Sequence, residues 1–131
     1  MNDSAAKKRS IAIVEDNPDN LLLLRVLLQD LYTLQEYPDG VLAVEGIVAS
    51  PPDLVLMDIS LPRMDGVEAL RGLRRHGLKS LPVVALTAHA MVGDRERFLA
   101  EGFDYYIAKP ILDRAQVIEP IEQLLAGLDV T

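Results

Sequence analysis

The sequence contains no cysteine and no tryptophan among its 131 residues, and only 5% of them are aromatic. The lack of cysteine excludes disulfide bonds, thiolate metal sites and a cysteine nucleophile, and it is compatible with a reducing cytoplasm. All apolar runs are too short to span a membrane, and the N-terminus lacks the apolar core of a signal peptide. Acidic residues outnumber basic ones by 20 to 13, and this net charge of −7 disfavours direct binding to nucleic acid. We therefore expect a cytoplasmic protein.

Short apolar runs alternate with longer amphipathic segments along the chain. The runs predict strands at 11–14, 32–37, 54–57, 81–86 and 105–108. The segments between and after them predict helices at 21–31, 41–49, 67–76, 90–101 and 114–128. This alternation, with short connections, predicts one α/β domain with a parallel sheet covered by helices on both faces. We expect a flexible lead-in at 1–9, the domain at 10–128 and a tail at 129–131.

Polar side chains stand where the strongly apolar strands end. Each of these strands is followed or closed by a residue with useful chemistry, namely Glu15 and Asp16, Asp58, Thr87 and Lys109. The carboxyl ends of parallel strands share one edge of the sheet, and ligands bind there, so we expect these residues to converge on one pocket.

The residue types at this edge favour phosphoryl chemistry. Three carboxylates side by side repel one another, and a hard divalent cation such as Mg²⁺ relieves that conflict. A lysine ammonium and a threonine hydroxyl add a positive charge and a hydrogen-bond donor, which together with Mg²⁺ suit a phosphoryl group in transfer. Because the pocket offers neither a cysteine nor a serine nucleophile, a carboxylate is the natural acceptor.

Four motifs in order resemble the receiver domain of bacterial two-component response regulators. They are V-E-D-N at 14–17, L-M-D-I-S-L-P-R-M-D-G at 56–66, L-T-A at 86–88 and I-A-K-P at 107–110. The likeness covers residues 10–128 and is similar both to stand-alone single-domain regulators and to receivers of hybrid kinases. It implies a flavodoxin-like, doubly wound (βα)5 fold with a five-stranded parallel sheet of order 2-1-3-4-5.

The resemblance also implies roles for individual residues. Asp58 would accept a phosphoryl group from a histidine kinase or a phosphotransfer protein, and Thr87 and Lys109 would bind that group. Mg²⁺, with Mn²⁺ as an expected substitute, would be held by Glu15, Asp16, Asp58 and the backbone carbonyl of Ser60. The peptide bond between Lys109 and Pro110 is expected to be cis.

The resemblance further implies a conformational switch made by Thr87 and Tyr106. Phosphorylation would change the surface of the fourth helix, fifth strand and fifth helix, which a partner protein reads in trans. Ser60, Ala88 and His89 would tune the lifetime of the phosphorylated state. Only 22 residues follow Lys109, so we expect no DNA-binding output domain, no turnover enzyme, and a monomer or weak dimer.

Three other interpretations stay open from the sequence. The chain resembles a receiver excised from a hybrid histidine kinase as well as a stand-alone protein. A phosphate-independent pseudo-receiver is a second interpretation, which the complete acidic set argues against. A metal-dependent phosphatase is a third, and Ser60 counts against it because such hydrolases often carry a second acid two residues after the nucleophile.

The last helix departs from the family pattern. Pro120 lies inside it, and about one extra residue separates Pro110 from the apolar register of the helix. A proline in a helix interior removes a hydrogen bond and costs about 3 kcal/mol. We therefore expect the helix to begin near Pro120 or to kink there, with 113–118 irregular, which puts the family's usual dimerisation surface in doubt.

Overall fold

The computed structural model of the chain describes residues 8–88 and 93–129. Residues 1–7 of the expected lead-in, His89, the expected helix start at 90–92, and residues 130–131 of the expected tail lie outside this part. Within it, strands and helices alternate five times: β1 (Ser10–Val14), α1 (Pro18–Leu28), β2 (Thr33–Tyr37), α2 (Gly40–Ala49), β3 (Leu54–Asp58), α3 (Gly66–Arg75), β4 (Val83–Thr87), α4 (Asp94–Glu101), β5 (Tyr105–Ala108) and α5 (Ala115–Asp129). None of these helices is long and apolar enough to cross a membrane.

The five strands form one parallel sheet in the order β2-β1-β3-β4-β5, which confirms the expected order. The chain moves outward from β1 to β2 and then crosses to the other side of β1 to form β3. A crevice therefore opens at the carboxyl ends of β1 and β3, where ligands of such sheets bind.

Both faces of the sheet are covered by helices, so the central strands are buried on both sides. Alternate residues of one strand enter two different cores: Ala12 and Val14 face α2, α3 and α4, while Ile11 and Ile13 face α1 and α5. This alternation follows from the two-residue period of a strand. It explains why the central strands are continuous apolar runs in the sequence.

The helix ends follow local sequence signals. The Asn17 side chain accepts hydrogen bonds from the first amides of α1, and Pro18 occupies the first helical turn. Asp65 and Glu68 form a reciprocal capping box at the start of α3. Gly102 ends α4 with φ of 116°, a left-handed conformation that glycine adopts without steric cost.

The expectation of a late start near Pro120 was wrong, because α5 begins at Ala115 and runs through Pro120, close to the span of 114–128 that the apolar pattern predicts. Its first turn is fixed by the Ile118 amide, which donates to the Arg114 carbonyl at 2.9 Å. Val117 and Ile121, one turn apart on either side of the proline, are both 0% exposed. Burial of this stripe requires helix before and after Pro120, and it outweighs the one hydrogen bond that the proline cannot donate.

Candidate functional site

The carboxyl edge of the sheet brings together three charged side chains from distant parts of the chain. The Lys109 ammonium nitrogen lies 2.9 Å from Glu15 Oε1 and 2.8 Å from Asp58 Oδ2. Glu15 follows β1, Asp58 closes β3 and Lys109 follows β5, so each is placed by the end of its strand. Glu15 is 1% exposed and Asp58 is 6% exposed. Their positions at strand ends predicted this convergence.

The charges at this edge shift one another's protonation. Burial raises the pKa of Glu15, and the neighbouring Asp58 raises it further, while Lys109 lowers it in part. Burial lowers the pKa of Lys109, but its hydrogen bonds to Asp58 and Glu15 outweigh that effect and leave the pKa raised. One ammonium therefore offsets only part of the negative charge collected here.

Three carboxylates at this edge, which we name the acidic trio, are Glu15, Asp16 and Asp58. Each offers one oxygen, and these oxygens lie within 4.8 Å of one another. Asp16 is exposed, whereas the other two are buried. Carboxylate oxygens in excess of the neighbouring positive charge are the ligands that a hard divalent cation prefers. The donor set of the acidic trio thus fits Mg²⁺.

The two oxygens of Asp58 are held from different sides. Oδ1 accepts a hydrogen bond from the Ser60 amide at 2.8 Å, and Oδ2 accepts one from Lys109. The following loop then folds back on the strand, because the Gly66 amide donates to the Ile59 carbonyl at 3.0 Å. A Cβ on Gly66 would lie 2.5 Å from the Asp58 carbonyl oxygen, so only glycine allows this close approach.

Thr87 and Tyr106 lie on neighbouring strands beside this cluster. Thr87 ends β4 and is buried, and its carbonyl accepts a hydrogen bond from the Lys109 amide at 2.7 Å. Tyr106 is half-buried, with its ring centroid 6.1 Å from that of Phe98 on α4. It lines a groove of about 380 Å³ together with Arg95, Tyr105, Ile107, Ala108 and Gln116.

The remaining predicted residues fall around the same edge. Ser60 and Ala88 are exposed beside Asp58 and Thr87 respectively, and the Lys109–Pro110 peptide bond is cis. His89, the third residue expected to tune the lifetime, lies outside the described residues.

Sequence reasoning missed two side-chain contacts that fix the loops of the site. An Arg63 guanidinium nitrogen contacts Asp39 Oδ2 at 2.7 Å, although the two residues are 24 positions apart. Gln116 on α5 hydrogen-bonds the backbone around Lys109. An aspartate before a glycine is typical of a turn, so the sequence indicated a turn at Asp39 and Gly40, but it did not indicate the pairing of Asp39 with an arginine. Nothing in the sequence indicated a role for Gln116.

Comparison with known proteins gives a consistent result. The family model described as the response regulator receiver domain matches residues 11–122. The sensor histidine kinase GacS of Pseudomonas protegens is 42% identical over 116 residues, which cover 82% of this chain but 12% of that protein. The polar-differentiation response regulator DivK of Brucella anthropi is 41% identical over 105 residues, covering 79% of this chain and 85% of that protein.

A solved structure also resembles this chain closely. It is the receiver domain of the sensor histidine kinase PA1611 from Pseudomonas aeruginosa, described with a magnesium ion coordinated in its active site cleft. It is 36% identical, has a TM-score of 0.83, and the match covers 91% of this chain and 98% of that one. The relatives thus include both parts of long kinases and a regulator of nearly this length.

Proposed function

Because the chain belongs to the response regulator receiver domain family of two-component signalling, we propose that it is a phosphorylation-dependent switch in which Asp58 accepts the phosphoryl group. The observation that carries this proposal is the setting of the Asp58 carboxylate. One of its oxygens is bound by the Lys109 ammonium and the other by the Ser60 amide, beside two further carboxylates.

The phosphoryl donor is a phosphohistidine of a histidine kinase or of a phosphotransfer protein. An Asp58 oxygen attacks the phosphorus atom, the phosphorus–nitrogen bond breaks, and the histidine imidazole leaves with its electron pair. Lys109 and the Thr87 hydroxyl then bind oxygens of the transferred group. Lys109 needs little movement for this role, because its ammonium already contacts the accepting carboxylate.

The acidic trio and the Ser60 carbonyl hold Mg²⁺, for which Mn²⁺ substitutes. The ion, when bound, supplies positive charge that neutralises the crowded carboxylates and the incoming phosphoryl oxygens. In this set Glu15 would contribute mainly its negative charge, since it is buried and its oxygens already receive hydrogen bonds from Lys109 and the Asn17 amide.

The output of the switch is the surface formed by α4, β5 and α5. Thr87 moves toward the phosphoryl group, and Tyr106 turns inward against Phe98. The changed surface then controls a partner protein in trans. The chain is not a turnover enzyme: it returns to the resting state by slow hydrolysis of its own acyl phosphate, at a rate that Ser60, Ala88 and His89 tune.

Intact mass spectrometry after incubation with acetyl phosphate and Mg²⁺ tests this proposal. The wild-type protein gains one phosphoryl group, about 80 Da, and Asp58→Asn does not. The matched control is Asp53→Asn, because Asp53 lies at the opposite edge of the sheet, where it bonds Ser10; this variant is phosphorylated like the wild type. A chelator of divalent cations prevents the gain in every variant.

Two results would contradict the proposal. An unmodified wild-type protein would favour the phosphate-independent interaction module, and an adduct that survives in Asp58→Asn would place the acceptor elsewhere. Multiple turnover of p-nitrophenyl phosphate would instead identify a phosphatase. Phosphotransfer from a panel of histidine kinases and phosphotransfer proteins then identifies the donor by its rate.

A further inference from the structure

The side chain of one neutral residue, Gln116, bonds the backbone of the loop between β5 and α5, residues 109–114. Gln116 Nε2 donates to the Ala108 carbonyl at 3.0 Å and lies 3.2 Å from the Pro110 carbonyl. Gln116 Oε1 accepts from the Leu112 amide at 2.9 Å. We name these three contacts the Gln116 bridge. They reach the backbone on both sides of Lys109.

The chemistry of the three partners fixes the orientation of the Gln116 amide. Two of them are carbonyl oxygens, which only the NH₂ group can satisfy, and the third is an N–H, which only the carbonyl oxygen can accept. The base of the bridge is also fixed, because the backbone N–H of Gln116 donates to Asp113 Oδ1 at 3.1 Å. The side chain therefore projects from a capped helix start.

The bridge also holds a part of the loop that side-chain packing does not. Leu112 is 81% exposed, so its side chain contributes little to packing. Its amide is nevertheless bound by Gln116. The loop is thus tied down at Leu112 through its backbone, which constrains the segment that follows Lys109.

We propose that Gln116 is a positioning residue for the phosphoryl site, which acts through the backbone of residues 108–112 to hold the Lys109 ammonium against Asp58. Lys109 is otherwise fixed at its amide, which bonds the Thr87 carbonyl, and at its ammonium, which bonds two carboxylates. When the phosphoryl group arrives, the ammonium must exchange partners, and the bridge then determines where it stays. This inference rests on the proposed function.

Two substitutions separate the contributions of the bridge. Gln116→Leu replaces the side-chain amide with an apolar group and removes all three contacts. Gln116→Glu keeps an acceptor for Leu112 but cannot donate to Ala108 or Pro110, and it places a negative charge near Lys109. The matched control is Gln123→Leu, which removes an exposed glutamine farther along the same helix.

The rate of phosphorylation by acetyl phosphate is the main measurement. We expect Gln116→Leu to lower it about three- to tenfold, since a misplaced charge loses part of its effect on the reacting group. Gln116→Glu lowers it at least as much, and Gln123→Leu leaves it unchanged. The apparent Mg²⁺ affinity, titrated without phosphoryl donor, should not fall in Gln116→Leu, because Lys109 does not bind the metal and its displacement leaves Glu15 and Asp58 with less competing positive charge.

A double-mutant cycle with Lys109→Ala distinguishes positioning from general support of the fold. If Gln116 acts through Lys109, Gln116→Leu has no further effect on the rate in the Lys109→Ala background. An equal loss in both backgrounds would overturn the inference, as would a wild-type rate in Gln116→Leu. If Gln116→Leu does not fold, Gln116→Glu is carried through the same cycle.

The wild-type protein offers a readout that needs no variant. The side-chain amide protons of Gln116 should exchange with solvent more slowly than those of Gln123, and their NMR signals should shift when beryllofluoride and Mg²⁺ are added as a phosphoryl analogue. Equal exchange for both glutamines would contradict the bridge. Phosphorylation of the wild type at Asp58 is scored separately, so the inference can fail while the proposed function stands.

Discussion

The two loops that flank the phosphoryl site are stabilised by opposite means. The β3–α3 loop, residues 59–65, is anchored by an ion pair between Arg63 and Asp39 and by close backbone packing. The β5–α5 loop is anchored by the neutral amide of Gln116. The difference follows from what each loop carries. The Lys109 ammonium is already shared by Glu15 and Asp58, and a further charged anchor would compete for it, whereas the Gln116 amide adds no charge.

The β3–α3 loop also carries backbone strain. Arg63 has φ of 63°, a left-handed conformation that is uncommon outside glycine. The Met64 amide donates to the Pro62 carbonyl at 2.6 Å, which closes a three-residue turn about Arg63. Such a turn persists only where its surroundings hold it. Here the Asp39 carboxylate, which also caps α2, holds the arginine.

The largest expected effect of breaking either anchor comes from Gly66→Ala in the β3–α3 loop. The added Cβ would lie 2.5 Å from the Asp58 carbonyl oxygen and 2.9 Å from Ile59 Cα, so the backbone itself must move. We expect a loss of about 3 kcal/mol in the free energy of unfolding in urea and a strongly reduced phosphorylation rate. Gly127→Ala is the control, because its Cβ meets no atom within 4 Å. Equal stability of the two variants would contradict this account of the loop.

A smaller effect, which distinguishes the two loops, is expected on the amide protection of each loop anchor at acid pH. The amide of Leu42 and the guanidinium of Arg63 lower the pKa of Asp39 below its usual 3.8. The Asp39 contribution to stability is therefore present above that value and is lost as pH falls through the lowered pKa. None of the three contacts in the Gln116 bridge involves an ionisable side chain, although the carboxylates of Asp113 and Glu15 lie at its base and at Lys109, so the bridge should be less sensitive to acid than the Asp39 anchor.

Amide hydrogen exchange between about pH 6 and about pH 3 checks this difference. Leu42 should lose protection at the acid end relative to Leu112, and Asp39→Asn should abolish the acid-dependent part of that loss. Parallel loss at both amides in the wild type would show that the loops are not independently anchored.

The smallest effect is expected from Leu112→Ala. The leucine side chain is 81% exposed, and the Gln116 bridge uses only its backbone amide. The free energy of unfolding should change by no more than about 0.5 kcal/mol, and the phosphorylation rate should not change. A rate loss comparable to that of Gln116→Leu would mean that the exposed side chain, and not the bridge, fixes the loop.

The sequence predicted the strands, the helices and the sheet edge at which the site residues meet, but not the side chains that anchor the two loops. Strands such as β3 are recognisable because burial on both faces requires a continuous apolar run. The apolar pattern placed α5 at 114–128, but the late start inferred from Pro120 was wrong, because the cost of that proline is local, whereas the burial of Val117 depends on packing against the distant sheet. The pairing of Asp39 with Arg63 and the role of Gln116 likewise depend on distances that only the folded chain sets.

Glu15 and Asp16 are adjacent in sequence yet differ in their access to water. Glu15 is 1% exposed and is already hydrogen-bonded to Lys109, whereas Asp16 is exposed. Under the proposed function, the exposed carboxylate of Asp16 is the one that a cation arriving from solution would meet first. Access from solution and pairing with Lys109 are thus divided between two neighbouring carboxylates, and exchanging the two side chains would not preserve that division.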